Sequence, residues 1–222
     1  MLRDAVLVAG KDLRIEFRSR VALNQVLPFA AAVILLFGLA LGPSREVLAP
    51  ASAGLFWIAV LLSSVLATQR SFAVESSDGA RDALRLSGLD PAGIFLGKAF
   101  AVAVELLALE ALLTFGVAVL YGARLTGALV LFAACVAATV GLAAVGIVYG
   151  AVASGLRVRE TLLPLLFLPV AAPVLLGATK AWDEALKGTP SGGLGWLSLL
   201  AVFAVLYVAI GTVAFGPLLE ES

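Results

Sequence analysis

Two glutamates inside one long apolar run are the residues of this sequence best placed to do chemistry. Glu105 and Glu110 are the only charges in the segment Ala99–Tyr121. A carboxylate in the hydrocarbon core of a bilayer costs at least about 2.5 kcal/mol, so it must face protein, water or a cation. Their spacing places them about 140° apart on a helix, which excludes a carboxylate dyad. Each is interpreted as a functional acid or as a structural partner for polar groups on a neighbouring helix.

Composition excludes much other chemistry. The sequence has no histidine, which removes most metal-dependent and histidine-based catalysis. Its single cysteine, Cys135, excludes an internal disulfide. Gly93, Gly97 and Lys98 suggest a phosphate-binding loop. The Walker pattern, however, needs four residues between its two glycines and a Ser or Thr directly after the lysine, and this sequence has neither. The glycines are predicted to allow close helix packing, and the chain is interpreted as a non-enzymatic protein with no cofactor or metal of its own.

Six apolar segments, each long enough to cross a bilayer, must position the two acids. A spanning helix needs about 20 apolar residues, and 62% of the 222 residues are hydrophobic, with a mean hydropathy of +1.09. The sequence predicts an all-α integral membrane protein, a single domain over 1–222 with a six-helix membrane region at 21–216 and a tail at 217–222. The predicted spans are Val21–Leu41, Ala51–Gln69, Ala99–Tyr121, Leu125–Ala153, Thr161–Thr179 and Trp196–Gly216.

Lysine and arginine are distributed unequally between the two sides of these spans. Eleven lie on the side of the N-terminus and four on the other side. Loops with an excess of Lys and Arg stay in the cytoplasm, so both termini are predicted to be cytoplasmic. Trp57, Trp182 and Trp196 fall near the outer ends of spans, where indole rings favour the membrane interface.

Residues 1–20, which we name the arm, have an amphipathic pattern. Apolar residues recur at helical spacing, with basic residues opposite them. The apolar positions are Leu2, Val6, Ala9, Leu13 and Phe17, and the basic ones are Lys11, Arg14 and Arg18. The pattern predicts a helix in the cytoplasmic headgroup layer. The alternative is a charged flank that only fixes the orientation of the first span.

Residues 70–98, which we name the coupling loop, form the longest polar segment between spans. A turn at Ser77-Asp78-Gly79, a stop at Gly88 and an N-cap at Asp90-Pro91 predict two short helical pieces. Leucines with a charged rim are typical of a protein interface, although the loop could also pack on the arm. The predicted contact residues are Glu75, Asp78, Arg81, Asp82, Leu84, Arg85 and Leu86.

Three prolines interrupt the hydrogen-bond ladder of the fifth span, at Pro164, Pro169 and Pro173. They predict helix kinks, which membrane helices tolerate where neighbours satisfy the freed carbonyls. A moving helix and a static bend are both compatible with this pattern.

Three stretches of the sequence resemble the CcmB family, the heme exporter protein B permeases of bacterial cytochrome c maturation. They are KDLRIEFRSRVALNQVLPFAAAVILLFGLALGP at 11–43, ESSDGARDALRLSGLDPAGIFLGKAFA at 75–101 and LPLLFLPVAAPVLLGA at 163–178. The second has the acidic residue, Asp-Gly, leucine pair, proline and lysine of the family pattern. The last outer loop is shorter and richer in glycine than that pattern.

The resemblance implies an ABC-2-type exporter permease in the bacterial inner membrane, working with a separate CcmA-like ATPase that contacts the coupling loop. It implies CcmC-like and CcmD-like membrane partners and a CcmE-like heme chaperone, with ATP used by the partner and heme handled by the complex. An ABC motor needs two membrane halves, so a homodimer is expected. The complex would export heme or release the heme-loaded chaperone. The lack of histidine, the commonest heme ligand, fits release better.

Other functions stay open at this point. An ABC-2-type permease for a lipid or drug is separated from the first interpretation by the resemblance alone. A non-transporting assembly scaffold would differ by not needing the ATPase. The net charge of zero gives no indication of a nucleic-acid partner.

Overall fold

The computed structural model describes residues 1–20, 22–42, 44–76, 88–123, 125–154 and 159–221, and within them every regular element is a helix. In chain order the elements are α1 (Leu2–Ser19), a π-helical turn (Ala22–Val26), α2 (Leu27–Ala40), α3 (Arg45–Ser76), α4 (Pro91–Leu120), α5 (Ala128–Ser154), α6 (Arg159–Leu186) and α7 (Pro190–Glu221). The predicted all-α class is confirmed. Helix α5 lies at the centre of the bundle, in contact with α3, α4, α6 and α7.

Five helices, α3 to α7, are each long and apolar enough to cross a membrane. The predicted first span, Val21–Leu41, is not one straight α-helix, because α2 has only 14 residues and follows the π-helical turn. It makes a sixth crossing only together with α1, from which it is bent by 57°. Pro28 lies in the first turn of α2 and has no N–H to donate to the turn before it, which suits a break in the helix there.

The helices run further than the apolar segments predicted. Helix α3 continues to Ser76, so the first residues of the coupling loop are helical. Helix α6 continues to Leu186, and α7 begins at Pro190, so a tight turn joins the predicted fifth and sixth spans. Helix α7 extends to Glu221 through the predicted tail. A core-facing stripe explains the end of α6, where Ala178, Ala181, Trp182 and Ala185 are all buried.

An aromatic cluster fills the bundle between α3 and α6. Phe56 stacks on Trp182 with ring centroids 4.0 Å apart, and Trp57 meets both rings edge-on at 5.3 and 6.0 Å. Both tryptophans are 1% exposed. The prediction that their indoles face the membrane interface is therefore wrong, because stacking in the core takes precedence over an interfacial position.

The three prolines of the predicted fifth span lie inside one continuous helix, α6. None of Pro164, Pro169 and Pro173 ends it, so they remove backbone donors without interrupting the crossing. A kink at each proline stays a prediction.

The arm packs closely along α4, and two glycines make this possible. A Cβ atom added at Gly93 would lie 2.8 Å from the Met1 carbonyl oxygen, and one at Gly97 would lie 2.6 Å from the Ala5 carbonyl oxygen. Val8, on the same face of the arm, is 2% exposed. The predicted packing role of the two glycines is confirmed, and their partner is the arm.

Replacing Gly97 with alanine should detach the arm, because the new methyl group would meet backbone that cannot turn aside. Overpacking of this kind costs about 1–3 kcal/mol, so proteolysis of the arm in membranes should accelerate at least about fivefold. Gly116→Ala is the matched control, because Gly116 lies in the same helix with nothing within 4 Å of the added atom. Equal cleavage of both variants would contradict the close packing.

The distribution of lysine and arginine predicts that both termini are cytoplasmic. Reporter domains fused after Ser222 and inserted at Gly188, in the turn between α6 and α7, should therefore report opposite sides of the membrane. A reporter result that places both on one side would contradict the six-crossing topology.

Candidate functional site

One face of the arm carries acids rather than bases. Asp4, Val8, Asp12 and Glu16 follow one another at a four-residue spacing, so they share a face of the helix. Their carboxylates contact groups on α3 and α4. Asp4 Oδ2 accepts from the Asp90 N–H at 3.3 Å, Asp12 Oδ2 lies 3.5 Å from Lys98 Nζ, and Glu16 Oε2 lies 3.9 Å from an Arg70 guanidinium nitrogen. The arm therefore runs beside the first half of α4, in the same direction, held by its acidic face.

Lys98 is a cation almost completely removed from solvent. Its side chain is 1% exposed, and its ammonium faces Asp12 on the arm and the ring of Phe72, whose centroid lies 5.3 Å away on α3. A buried charge is tolerated when it is paired, and an aromatic face adds a cation–π attraction. Three helices, α1, α3 and α4, thus share one buried charge.

Glu105 borders a small polar cavity at the junction of the same three helices. The cavity has a volume of about 40 Å³, and its polar lining comes from Asp12, Glu16, Arg70, Ser71 and Glu105. This is room enough for water, which needs about 10–15 Å³ and two or more polar partners. One buried nitrogen of Arg70 and one buried oxygen of Glu105 have no hydrogen-bond partner among the described residues. Arg70 therefore has two carboxylates within electrostatic reach, on different helices.

The charged groups indicate where the hydrocarbon layer begins. Glu105 lies level with Arg70 and Glu16, near the cytoplasmic end predicted for α4. Sixteen residues further along α4, about 24 Å at 1.5 Å per residue, Tyr121 ends the helix and Arg45 packs beside the adjoining Gly122. These two charged levels are separated by nearly the thickness of a hydrocarbon core, about 30 Å. A hydrocarbon core of about 30 Å needs about 20 residues, so a core that ends at Tyr121 begins before Glu105, on the side of Lys98, as the sequence predicts.

Glu110 occupies a different environment, about 7–8 Å further into the membrane. It is 2% exposed, and one of its carboxyl oxygens accepts a hydrogen bond from the Thr139 hydroxyl on α5. Cys135, one helical turn before Thr139, also contacts the carboxyl group. Within the described part of the chain, the other oxygen of Glu110 has no hydrogen-bond partner. The prediction that the two acids do not form a dyad is confirmed, since Glu105 faces α1 and α3 while Glu110 faces α5.

Of the predicted contact residues of the coupling loop, the structure describes only part of one. Asp78, Arg81, Asp82, Leu84, Arg85 and Leu86 lie outside the described residues, and of Glu75 only the backbone, in the last turn of α3, is described. The helices on either side of the loop nevertheless both reach the site, α3 through Arg70 and α4 through Lys98 and Glu105.

Sequence reasoning missed Asp12 and Glu16 as site residues. Counting only lysine and arginine on the arm concealed an acidic repeat. Asp12 and Glu16 are four residues apart, and Asp4 lies eight residues, about two helical turns, before Asp12. This repeat, facing a buried lysine at the start of an apolar helix, was the available signal. Within the described part of the chain, no group of three or more acidic, cysteine or histidine residues is arranged to hold a metal ion. The site can exchange ion-pair partners and hold water.

Comparisons with known proteins agree with this architecture. A family model described as CcmB protein matches residues 3–222. Heme exporter protein B of Pseudomonas aeruginosa is 33% identical over 204 residues, which cover 90% of each chain. The protein of the same name from Haemophilus influenzae is 30% identical over 229 residues, covering 97% of this chain and 96% of its own. With a matched region of this extent, the chain, a multi-pass membrane protein, belongs to the CcmB family.

Proposed function

We propose that this chain is the permease subunit of an ABC-type complex that handles heme in cytochrome c biogenesis, in the bacterial inner membrane. The observation that carries the proposal is the family match over residues 3–222, together with relatives named heme exporter protein B that align over nearly the whole chain. Five to six apolar crossings are the framework that a permease requires.

The energy would come from a separate, CcmA-like ATPase, because the sequence contains no complete Walker motif of its own. The coupling loop is the proposed contact. Helices α3 and α4 lead directly into it from the bundle, and the arm binds both of them through Glu16 and Asp12. A displacement of the loop by the ATPase would therefore move α3, α4 and the arm together.

Within this function we favour release of a heme-loaded, CcmE-like chaperone over passage of free heme. The chain has no histidine, and its cysteine, Cys135, is buried against Glu110. CcmC-like and CcmD-like subunits would then present the heme, and two copies of this chain would supply the two membrane halves of the motor. The arm and α2, which exposes Leu35, Leu36 and Leu39, are the proposed parts of the dimer contact.

Replacing Leu84 with aspartate should abolish binding of the ATPase, because it places a charge at the apolar centre of the proposed contact. The six crossings should still insert, since their hydrophobicity does not depend on this loop. The measurement is recovery of the ATPase in a pull-down with the detergent-solubilised variant. Leu125→Asp is the matched control, because Leu125 is 41% exposed in the loop at the other end of α4.

Wild-type recovery with Leu84→Asp would move the contact to another segment, with the arm as the next candidate. An ATPase variant unable to hydrolyse ATP tests the broader proposal. Cytochrome c maturation that continues with such a variant would favour a scaffold over a driven permease.

Glu105→Gln and Glu110→Gln should each reduce cytochrome c maturation more than they reduce the amount of protein in the membrane. Glutamine keeps the size and hydrogen bonding of glutamate but removes the carboxylate that faces Arg70 or the carboxyl group beside Thr139. The measurements are c-type cytochrome yield and an immunoblot of membranes. Glu46→Gln, in the exposed first turn of α3, is the control. Unchanged maturation in both single variants and the double variant would leave only a structural role.

A further inference from the structure

An apolar cleft lies beside the contact between the arm and α4, with α7 on its other side. It has a volume of about 610 Å³, within the range of about 300–1,000 Å³ typical of ligand pockets. Its walls include Leu2, Val6 and Leu13 on the arm, Phe100 and Ala103 on α4 and Val208 on α7. Leu2 is 79% exposed, Val6 73% and Phe100 58%. An apolar surface of this extent requires an apolar occupant.

A basic edge borders the cleft along the arm. At 100° per residue, the arm has three faces in turn: apolar around Val6, basic around Arg3 and Arg14, and acidic around Asp12. The acidic face is used to hold the arm against α3 and α4. Arg3, Arg14 and Arg18 are exposed and form no ion pair with any described residue, whereas Lys11 is paired with Asp12 at 3.0 Å. The basic edge is therefore available to an anion from outside the protein.

We propose that the cleft and the basic edge together bind one anionic phospholipid from the leaflet that contains the arm. One acyl chain lies in the cleft, and the headgroup lies along the basic edge between Arg3 and Arg14. Lys and Arg clustered on an amphipathic helix attract anionic lipid headgroups. A second copy of this chain is the alternative occupant, because the arm is also a proposed part of the dimer contact, but a two-fold contact at the cleft itself would bring two basic edges together.

Native mass spectrometry of the full chain in detergent tests the proposal, with phosphatidylglycerol and phosphatidylcholine of identical acyl chains as probes. Wild type should retain one phosphatidylglycerol in preference to phosphatidylcholine. The double variant Arg3→Gln/Arg14→Gln should reduce that preference about 25-fold, since each basic residue contributes about fivefold. Lys180→Gln, an exposed lysine at the other end of the bundle, should leave it unchanged.

Two further variants address the cleft. Ala9→Phe places a large ring in it and should reduce retention of both lipids to a similar degree. If this variant does not fold, Val6→Asp at an exposed position places a negative charge at the same wall and should have the same effect. Equal retention of the two lipids by wild type would overturn the proposal, as would unchanged retention in Val6→Asp. A lipid-free dimer of wild type that Val6→Asp dissociates would assign the cleft to self-association and overturn it as well.

Discussion

A buried lysine links the helices in the half of this protein that contains the arm. Lys98 lies between Asp12 of the arm and the ring of Phe72, so one charge is shared by α1, α3 and α4. Removal of one partner from a buried ion pair costs about 3–5 kcal/mol, because the other charge is then left unpaired. The contact between Asp12 and Lys98 therefore helps to hold the arm on α4. The glycines at 93 and 97 bring the two backbones close enough for that pairing.

Arg70 lies near two carboxylates, those of Glu16 and Glu105. One guanidinium nitrogen lies 3.9 Å from Glu16, while the other terminal nitrogen of Arg70 and one oxygen of Glu105 have no hydrogen-bond partner among the described residues. Arg70 is six residues before the end of α3, where the chain leaves for the coupling loop. In the proposed function, a small movement of α3 would transfer Arg70 from the arm to α4. Two discrete pairings of this kind are what a switching element needs.

Apolar run length identified the crossings and the two acids, but it did not predict what the helices pack against. Helical geometry alone predicted that Glu105 and Glu110 face different sides of α4. The structure confirms this, because Glu105 faces α1 and α3 while Glu110 faces α5. The sequence predicts Trp57 and Trp182 at the interface, because composition near a span end cannot reveal that their rings pack edge-on across helices. The acidic stripe of the arm was present in the sequence, yet its meaning depended on which face meets α4, a tertiary fact.

The three faces of the arm constrain its position more than amphipathicity alone does. Its acidic face needs cations that only α3 and α4 supply, its basic face needs water or headgroups, and its apolar face needs hydrocarbon. These requirements are met together beside the first half of α4, where the arm lies against both α3 and α4. The carboxylate of Glu105 lines a cavity with room for water, whereas Glu110, five residues further along α4, depends on Thr139.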